Sequence, residues 1–254
     1  MFLSLQKPGI YFKFLIDFFM QLFYNPELKE NDQEIVFDKK ESKHIIKVLR
    51  KTINDKLLIT NGKGFLFKAE ITDSNHNKCK AKIIEKTYFP PSDFHLHIAI
   101  APTKKNDRFE WFLEKSTEMG IHQITPIICE HSERRKVNLD RFNRIIQSAM
   151  KQSLQYYIPK LEKPVSFNEF TSKEINGNKF IAHCEESAKD FLQHKIKPKT
   201  EIVILIGPEG DFSSSEIQEA IAAGFEPISL GKNRLRTETA AIAACHTVYL
   251  ANQF

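Results

Sequence analysis

Residues 201–217, EIVILIGPEGDFSSSEI, contain the transition that decides the fold of the larger part of this chain. The unbroken apolar run Ile202–Ile206 predicts a buried strand of the kind found in parallel sheets. It is followed at once by Gly207-Pro-Glu-Gly-Asp, which combines two glycines with two carboxylates. Because ligands of open α/β sheets bind outside the carboxyl ends of the strands, this loop is a candidate binding site.

Outward from this stretch, apolar runs alternate with amphipathic segments throughout residues 91–254. That alternation predicts an α/β domain whose mostly parallel sheet is covered by helices on both faces. Residues 20–90 differ, because short strand-like runs separated by Asn-Gly and other turn residues predict an antiparallel meander or small barrel. The Pro-rich stretch 89–93 is the predicted linker, and residues 1–19 are treated as an extension outside the domains, with a membrane-surface anchor as the alternative.

Composition fits a globular protein, with 41% hydrophobic and 27% charged residues among 254 and a net charge of +5. The positive excess lies in residues 20–90, which hold 14 Lys and Arg against 10 Asp and Glu, and either a polyanionic partner or simple solubility explains it. The four cysteines are far apart and form no C-x-x-C pair, so the sequence predicts no metal site and no disulfide framework. We expect a cytoplasmic protein without a membrane span.

The loop after Ile206 is a poor candidate for a nucleotide-phosphate site. It lacks the G-x-G-x-x-G pattern, and Glu209 and Asp211 would repel a pyrophosphate. A ligand with a cationic centre suits it better. The Ser213 and Glu216 that follow match a capping box, so their predicted role is to start a helix.

A second loop of similar character, SLGKNRLRTETAAIAA, follows the next predicted strand. Gly231 alone indicates a turn, whereas Arg234 and Arg236 around Leu235 place two guanidiniums where they could bind phosphate or the carbonyl edge of a base. Thr237 is the predicted N-cap of the last helix.

Together, LIGPEGDFSSSEI and SLGKNRLRTETAAIAA resemble the C-terminal signature of the SPOUT-class RNA methyltransferases, specifically the ribosomal RNA small subunit methyltransferase E family. HIIKVLR, KKNDRFEWFLEKSTEMGIHQITPI and AMKQS extend the resemblance to nearly everything after Met20. The resemblance implies an N-terminal PUA-like barrel that binds RNA and a C-terminal SPOUT domain with a deep trefoil knot that binds S-adenosylmethionine. It also implies a homodimer that methylates N3 of a uridine in 16S rRNA of the small ribosomal subunit.

The resemblance further assigns residues to the methyl donor, largely through backbone amides and carbonyls. These are Ile206, Gly207, Gly210, Leu230, Gly231, Leu235, Thr239 and Ala240. The loop HCEES, residues 183–187, is a further candidate for the same pocket.

For the reaction, Arg236 is expected to stabilise the charge that develops on the uracil carbonyls, and Glu209 or Glu238 is a candidate for accepting the N3 proton. For either carboxylate, the alternative is an ion pair that orients one of the two loop arginines, Arg234 or Arg236. The candidates for RNA contact, any of which could instead be an ordinary solvated charge, are His44, Lys47, Arg50, Lys104, Arg134 and Arg234.

The chain departs from the family pattern at Asp211, where relatives often carry a third glycine, and at Leu154 and Gln155, where an arginine is often found. Two other functions stay open at this point. One is a SPOUT relative that methylates a ribose 2′-hydroxyl, and the other is an RNA-binding relative that has lost catalysis.

Overall fold

The computed structural model describes residues 21–185 and 189–253. The predicted extension, residues 1–19, lies outside the described residues. The chain divides after Pro90 into two compact units.

Within residues 21–90, five strands form one sheet in the order β1-β3-β4-β5-β2. Their bounds are β1 (Leu22–Tyr24), β2 (Glu34–Val36), β3 (Lys56–Thr60), β4 (Phe65–Asp73) and β5 (Lys80–Tyr88). β3, β4 and β5 pair in antiparallel succession, so the predicted meander is confirmed. Phe67 and Ile59 are fully buried in the apolar core of this unit.

The basic segment of this unit begins with the short helix α1 (Lys39–Lys43) and continues as the π-helical turn His44–Val48. Asp38 caps α1, because its carboxylate accepts a hydrogen bond from the backbone N–H of Glu41 at 2.7 Å. Ile45, in the turn, is fully buried, which anchors the segment to the core.

Within residues 91–185 and 189–253, eight strands form a sheet in which every strand pairing is parallel. The path runs β11-β13-β10-β12-β6-β7-β8, and β9 pairs with β7. The strands are β6 (His95–Ile100), β7 (Gln123–Ile128), β8 (Lys160–Leu161), β9 (Val165–Ser166), β10 (Asn178–Ala182), β11 (Asp190–Phe191), β12 (Glu201–Ile206) and β13 (Glu226–Ser229). The helices are α2 (Asn106–Glu118), α3 (Leu139–Gln152), α4 (Phe167–Thr171), α5 (Leu192–Lys195), α6 (Ser214–Ala222) and α7 (Thr237–Ala251).

Successive residues of β12 point to opposite faces of this sheet, and each face has its own apolar core. Ile204 belongs to the core that α2, α3 and α7 cover, together with Phe112 and Phe142. Leu205 belongs to the core under α4 and α6, together with Phe170. Helices therefore cover both faces, as the continuous apolar strands predict.

The register of the parallel strands brings their carboxyl ends to one edge. Ala182 at the end of β10 lies opposite Ile206 at the end of β12, and Ile206 lies opposite Ile100 at the end of β6. The loops after these strands therefore converge. The trefoil knot implied by the family resemblance stays a prediction. No helix within the described residues is both long enough and apolar enough to span a membrane.

Candidate active site

Two adjoining clefts open at the carboxyl edge of the parallel sheet. The larger, of about 670 Å³, lies between the loops that follow β10 and β13. The smaller, of about 290 Å³, lies between the loop that follows β12 and the residues that precede α7. Residues shared by the two clefts are Ala182, Cys184, Arg234, Leu235 and Ala240.

Six of the eight residues predicted to hold the methyl donor line these clefts. Leu230 and Gly231 line the larger cleft, and Ile206 and Gly207 line the smaller. Leu235 and Ala240 line both, so the two signature loops do meet in space.

Gly210 and Thr239 are not among the described residues that line either cleft. A Cβ atom placed on Gly210 would lie 3.1 Å from the Cβ of His131, so Gly210 permits close packing of two loops. Thr239 is exposed on the first turn of α7.

Gly207 lets the backbone turn tightly at the end of β12. A Cβ atom there would lie 3.1 Å from ring carbons of Phe212 and 3.2 Å from its backbone nitrogen. Because the Phe212 ring is buried under α6, it has little freedom to yield. The glycine is therefore needed for the path of the loop, and it also leaves the cleft open beside it.

Three carboxylates in and after the β12 loop hold loops that follow other strands of the sheet. Glu209 Oε1 accepts a hydrogen bond from the backbone N–H of Lys104, after β6, at 2.9 Å. Asp211 Oδ2 accepts one from Cys184, after β10, at 2.6 Å. Glu216 Oε1 accepts one from Glu130, after β7, at 2.9 Å. The acidic residues at the tip of this strand thus fix the walls of the site.

The two candidate proton acceptors have different surroundings. Glu209 is half-buried and lines the smaller cleft. Glu238 does not line either cleft among the described residues, and its Oε1 lies 3.8 Å from Nε of Arg108. Glu238 therefore approaches an arginine, but this is Arg108 and not one of the loop arginines, Arg234 and Arg236, that the alternative named.

Arg236 occupies the residue position before α7, and Arg234 lies two residues earlier in the same loop. Both are exposed, Arg236 lines the smaller cleft, and Arg234 lines both. Within the described part of the chain, neither guanidinium makes a hydrogen bond or a salt bridge. Thr237 is the first residue of the helix rather than its N-cap, so that prediction is wrong. The N-cap residue is Arg236, and its side chain makes no capping hydrogen bond within the described residues.

The predicted RNA contacts fall into two sets. In the N-terminal unit, Lys47 and Arg50 are exposed, whereas His44 is half-buried and lies 3.9 Å from the carboxylate of Glu41. In the C-terminal unit, Lys104 and Arg134 already have protein partners. Lys104 Nζ lies 2.7 Å from Glu133, and Arg134 donates to the side chain of Asn106 and to the carbonyl of Lys104.

The loop after β10 supplies site residues that the sequence prediction named only as a segment. His183, Cys184 and Glu185 all line the larger cleft. Partial desolvation and the Asp211 charge raise the pKa of the Cys184 thiol, so it is a poor nucleophile at neutral pH. Burial and the Lys189 charge lower the pKa of His183, while Asp211 and Glu185 act in the opposite direction.

The larger cleft is also lined by Ser229, Lys232 and Asn233. Nothing in the sequence pointed to these three residues except their position in the signature loop. Among the described residues, no group of three or more His, Cys, Asp or Glu side chains is placed to hold a metal ion.

Comparison with known protein families identifies the class of protein to which this fold and site belong. The family model described as an RNA methyltransferase domain matches residues 90–249, and the model described as an RNA methyltransferase PUA domain matches residues 37–84. A parallel sheet with this cleft, preceded by a PUA-like unit, therefore defines an RNA methyltransferase.

Individual relatives identify the family within the class of RNA methyltransferases. A ribosomal RNA small subunit methyltransferase E from Rickettsia conorii is 30% identical over 91% of this chain and 95% of its own length. The protein of the same description from Buchnera aphidicola is 32% identical over 80% of this chain and 83% of its own length. The chain belongs to the ribosomal RNA small subunit methyltransferase E family.

Solved structures agree with this assignment. A probable rRNA methyltransferase from Porphyromonas gingivalis has a TM-score of 0.84 and 36% identity, covering 92% of this chain and 98% of its own. A ribosomal RNA small subunit methyltransferase E from Neisseria gonorrhoeae, described as bound to S-adenosyl methionine, has a TM-score of 0.82 and 29% identity over 92% of this chain and 98% of its own.

Proposed function

We propose that this protein transfers the methyl group of S-adenosylmethionine to N3 of a uridine in 16S rRNA of the small ribosomal subunit. The observation that carries the proposal is the meeting of the two signature loops in one cleft, beside the unpaired guanidinium of Arg236. Family membership and the donor named for the Neisseria gonorrhoeae structure support the choice of donor.

The residues present fit this donor. The larger cleft, of about 670 Å³, falls in the range of small-molecule sites. S-Adenosylmethionine has a cationic sulfonium and an amino-acid group with both charges, and the cleft offers both signs through Glu185, Lys189 and Arg234. Gly207 and Gly231 allow a ligand to approach the backbone closely. When bound, the sulfonium supplies an activated methyl group that needs no metal.

The residues around the smaller cleft suit a uracil base. N3 carries a proton at neutral pH, and its loss leaves negative charge on the flanking carbonyl oxygens. We assign stabilisation of that charge to Arg236. Glu209 is assigned to accept the proton through Oε2, since its Oε1 accepts the N–H of Lys104. Glu209 lines this cleft, whereas Glu238 faces Arg108.

Recognition of RNA is assigned to the basic PUA-like unit, residues 20–90, through Lys47, Arg50 and His44. Arg234, Lys104 and Arg134 are proposed as further contacts near the site. Because N3 is hidden in a paired helix, the target uridine must be unpaired or flipped out. We further propose that the protein acts as a homodimer in the cytoplasm, where small subunits are assembled.

Nucleoside mass spectrometry of 16S rRNA tests the function directly. We expect 3-methyluridine to be present in the parent strain, absent from a strain that lacks this gene, and restored by the gene supplied on a plasmid. Retention of 3-methyluridine in the deletion strain would exclude the proposal. Loss of a 2′-O-methyl nucleoside instead would favour the ribose-methylating alternative, and no loss of any methyl group would favour an inactive relative.

A further inference from the structure

Arg108 and Glu238 form an ion pair between two helices, and the proposed mechanism leaves both residues without a role. Arg108 is the third residue of α2, and Glu238 is the second residue of α7. Glu238 Oε1 lies 3.8 Å from Nε of Arg108. The pair therefore brings the first turns of α2 and α7 together, beside the N-cap residue Arg236, which lines the smaller cleft.

The carboxylate is the buried member of this pair. The side chain of Glu238 is 9% exposed, and its Oε2 is buried without a hydrogen-bond partner among the described residues. A buried carboxylate needs a positive charge nearby, because it has lost its contacts with water. Arg108 supplies that charge, and Glu238 in turn restricts where the guanidinium can lie.

The guanidinium of Arg108 keeps its N–H donors free. Its side chain is 29% exposed, and a separation of 3.8 Å is too long for a hydrogen bond. In the part of the chain that the structure describes, the guanidinium makes no hydrogen bond. Arginine carries its donors in a planar fork that matches the oxygens of a phosphate. Arg108 is therefore held by a charge and is still able to donate to a ligand.

The start of α2 is an unfavourable place for positive charge. The helix dipole favours acidic side chains there, yet Lys104, Lys105 and Arg108 surround this start, and Asp107 is the one acidic residue of the first turn. Helix stability therefore does not explain the positive charge, whereas an anion bound from outside the chain does.

Arginine is confined to a few segments of the larger unit. Residues 91–254 contain seven arginines, which are Arg108, Arg134, Arg135, Arg141, Arg144, Arg234 and Arg236. Each lies in a loop or helix that follows the carboxyl end of β6, β7 or β13. The cleft near the opposite edge of the sheet is instead lined by the lysines Lys163 and Lys173. Because arginine binds phosphate in a bidentate manner and lysine does not, the carboxyl edge fits a phosphodiester backbone.

Arg108 is not among the described residues that line either cleft. The uracil base and the methyl donor are assigned to the clefts, so the part of the RNA left for Arg108 is the backbone outside them. We propose that Arg108 binds a backbone phosphate beside the target uridine, and that Glu238 is a positioning residue that holds the guanidinium for this contact. The inference rests on the proposed function, because it takes the smaller cleft as the uracil site.

Steady-state methyl transfer to small subunits from a strain that lacks this gene tests the inference on the full-length protein. Arg108→Met removes the charge and keeps most of the side-chain length. We expect KM for the subunits to rise about tenfold with kcat nearly unchanged. The dependence of KM on salt should become less steep, by about one phosphate contact. Lys173→Met, which breaks an ion pair with Glu169 near the opposite edge, is the matched control and should keep the KM of the parent.

Glu238→Gln tests the positioning role. The guanidinium then keeps its charge but loses the carboxylate that holds it. KM should therefore rise, by less than in Arg108→Met, while the salt dependence stays that of the parent. A KM equal to or below that of the parent would overturn the positioning role of Glu238.

Urea unfolding separates RNA binding from a purely structural role of the pair. Arg108→Met leaves the buried carboxylate of Glu238 without its positive partner, so the midpoint of unfolding should fall. The double variant Arg108→Met/Glu238→Gln removes both charges and should regain the stability, whereas its KM should stay as high as that of Arg108→Met. If KM also returned to the parent value, or if Arg108→Met left KM unchanged, the inference would be overturned. If the parent protein itself transferred no methyl group to the subunits, the proposed function would fail instead.

Discussion

Arg236 combines two properties that a residue acting on the substrate needs. It lines the smaller cleft, and its guanidinium has no partner within the described residues. Its backbone holds it at the start of α7, where its carbonyl accepts a hydrogen bond from Ala240 at 2.7 Å. The backbone of Arg236 is therefore held in place, while its guanidinium is free to bind the substrate.

We expect Arg236→Ala to leave donor affinity nearly unchanged and to abolish methyl transfer. The reason is that the guanidinium is assigned to charge that exists only as the N3 proton leaves. Losing a single group that stabilises such charge slows turnover by about 100-fold to 1000-fold in other enzymes. Calorimetry with S-adenosylmethionine and a transfer assay on small subunits would separate the two effects.

The control for this variant is Lys173→Ala, a positive charge near the opposite edge of the sheet, beside residues that begin the strands. It should keep full turnover. If Arg236→Ala turned over as fast as the parent, Arg236 would have no part in the reaction.

At the scale of elements, the start of α6 is specified by residues close in sequence, and one of these residues also makes a tertiary hydrogen bond. Ser213 accepts a hydrogen bond from the backbone N–H of Glu216, and Glu216 accepts one from the backbone of Ser213, so the predicted capping box is confirmed. Glu216 also accepts the N–H of Glu130 from the loop after β7, and it is only 8% exposed. Its carboxylate therefore stabilises both its own helix and the tertiary structure.

The two capping residues should consequently differ in their effect on the free energy of unfolding. Ser213→Ala should cost about 1 kcal/mol, the usual loss for a helix cap. Glu216→Ala should cost roughly 2–3 kcal/mol, since it also leaves the N–H of Glu130 without its partner. Urea unfolding would measure both, with the exposed Gln218→Ala on the same helix as the control. Equal losses for Ser213 and Glu216 would contradict the tertiary role.

At the scale of the whole molecule, two histidines near the starts of β6 and β7 link folding to pH. His97 is buried and lies 2.8 Å from Thr125 Oγ1, and burial with the His95 and Lys160 charges lowers its pKa to about 3. His122 accepts the N–H of Leu96 at Nδ1, and burial with the His95 charge lowers its pKa to about 4.

Because both values lie below the unfolded value of about 6.5, each neutral imidazole contributes stability that is fully present above pH 6.5. That stability should fall as pH drops toward 4 for His122 and toward 3 for His97. The loss is at most about 1.4 kcal/mol per pH unit for each histidine. Urea unfolding followed through Trp111 in α2, the single tryptophan of the chain, would show the decline.

The variant His122→Gln should flatten the decline between pH 6.5 and 4, whereas the exposed His246→Gln should not. Comparing each variant with the parent at the same pH removes the contribution of carboxylates that titrate in this range. If the unfolding free energy of His122→Gln and of the parent changed in parallel with pH, His122 would not be the group that links folding to pH.

Local pattern was enough for the architecture. The apolar run Ile202–Ile206 predicted a parallel strand, and the glycine loops after β12 and β13 marked the edge of the sheet where the clefts lie. These inferences succeed because strand burial, turns and capping depend on residues close in sequence, as the box formed by Ser213 and Glu216 illustrates. The resemblance to a known family added the ligand and the reaction.

Only the tertiary structure decided which backbone groups the carboxylates in and after the β12 loop contact. Glu209, Asp211 and Glu216 look alike in sequence as acidic residues near glycine. Their hydrogen bonds come from backbone N–H groups in the loops after β6, β10 and β7, which are distant in the chain. Glu238, an equal candidate in sequence, lies near Arg108 and does not line either cleft among the described residues.

The sequence by itself determined the elements and the chemistry available at their ends. The tertiary structure decided which of those groups hydrogen-bond to other loops and which have no partner among the described residues. The reason is that hydrogen-bond partners distant in the chain are set only by packing.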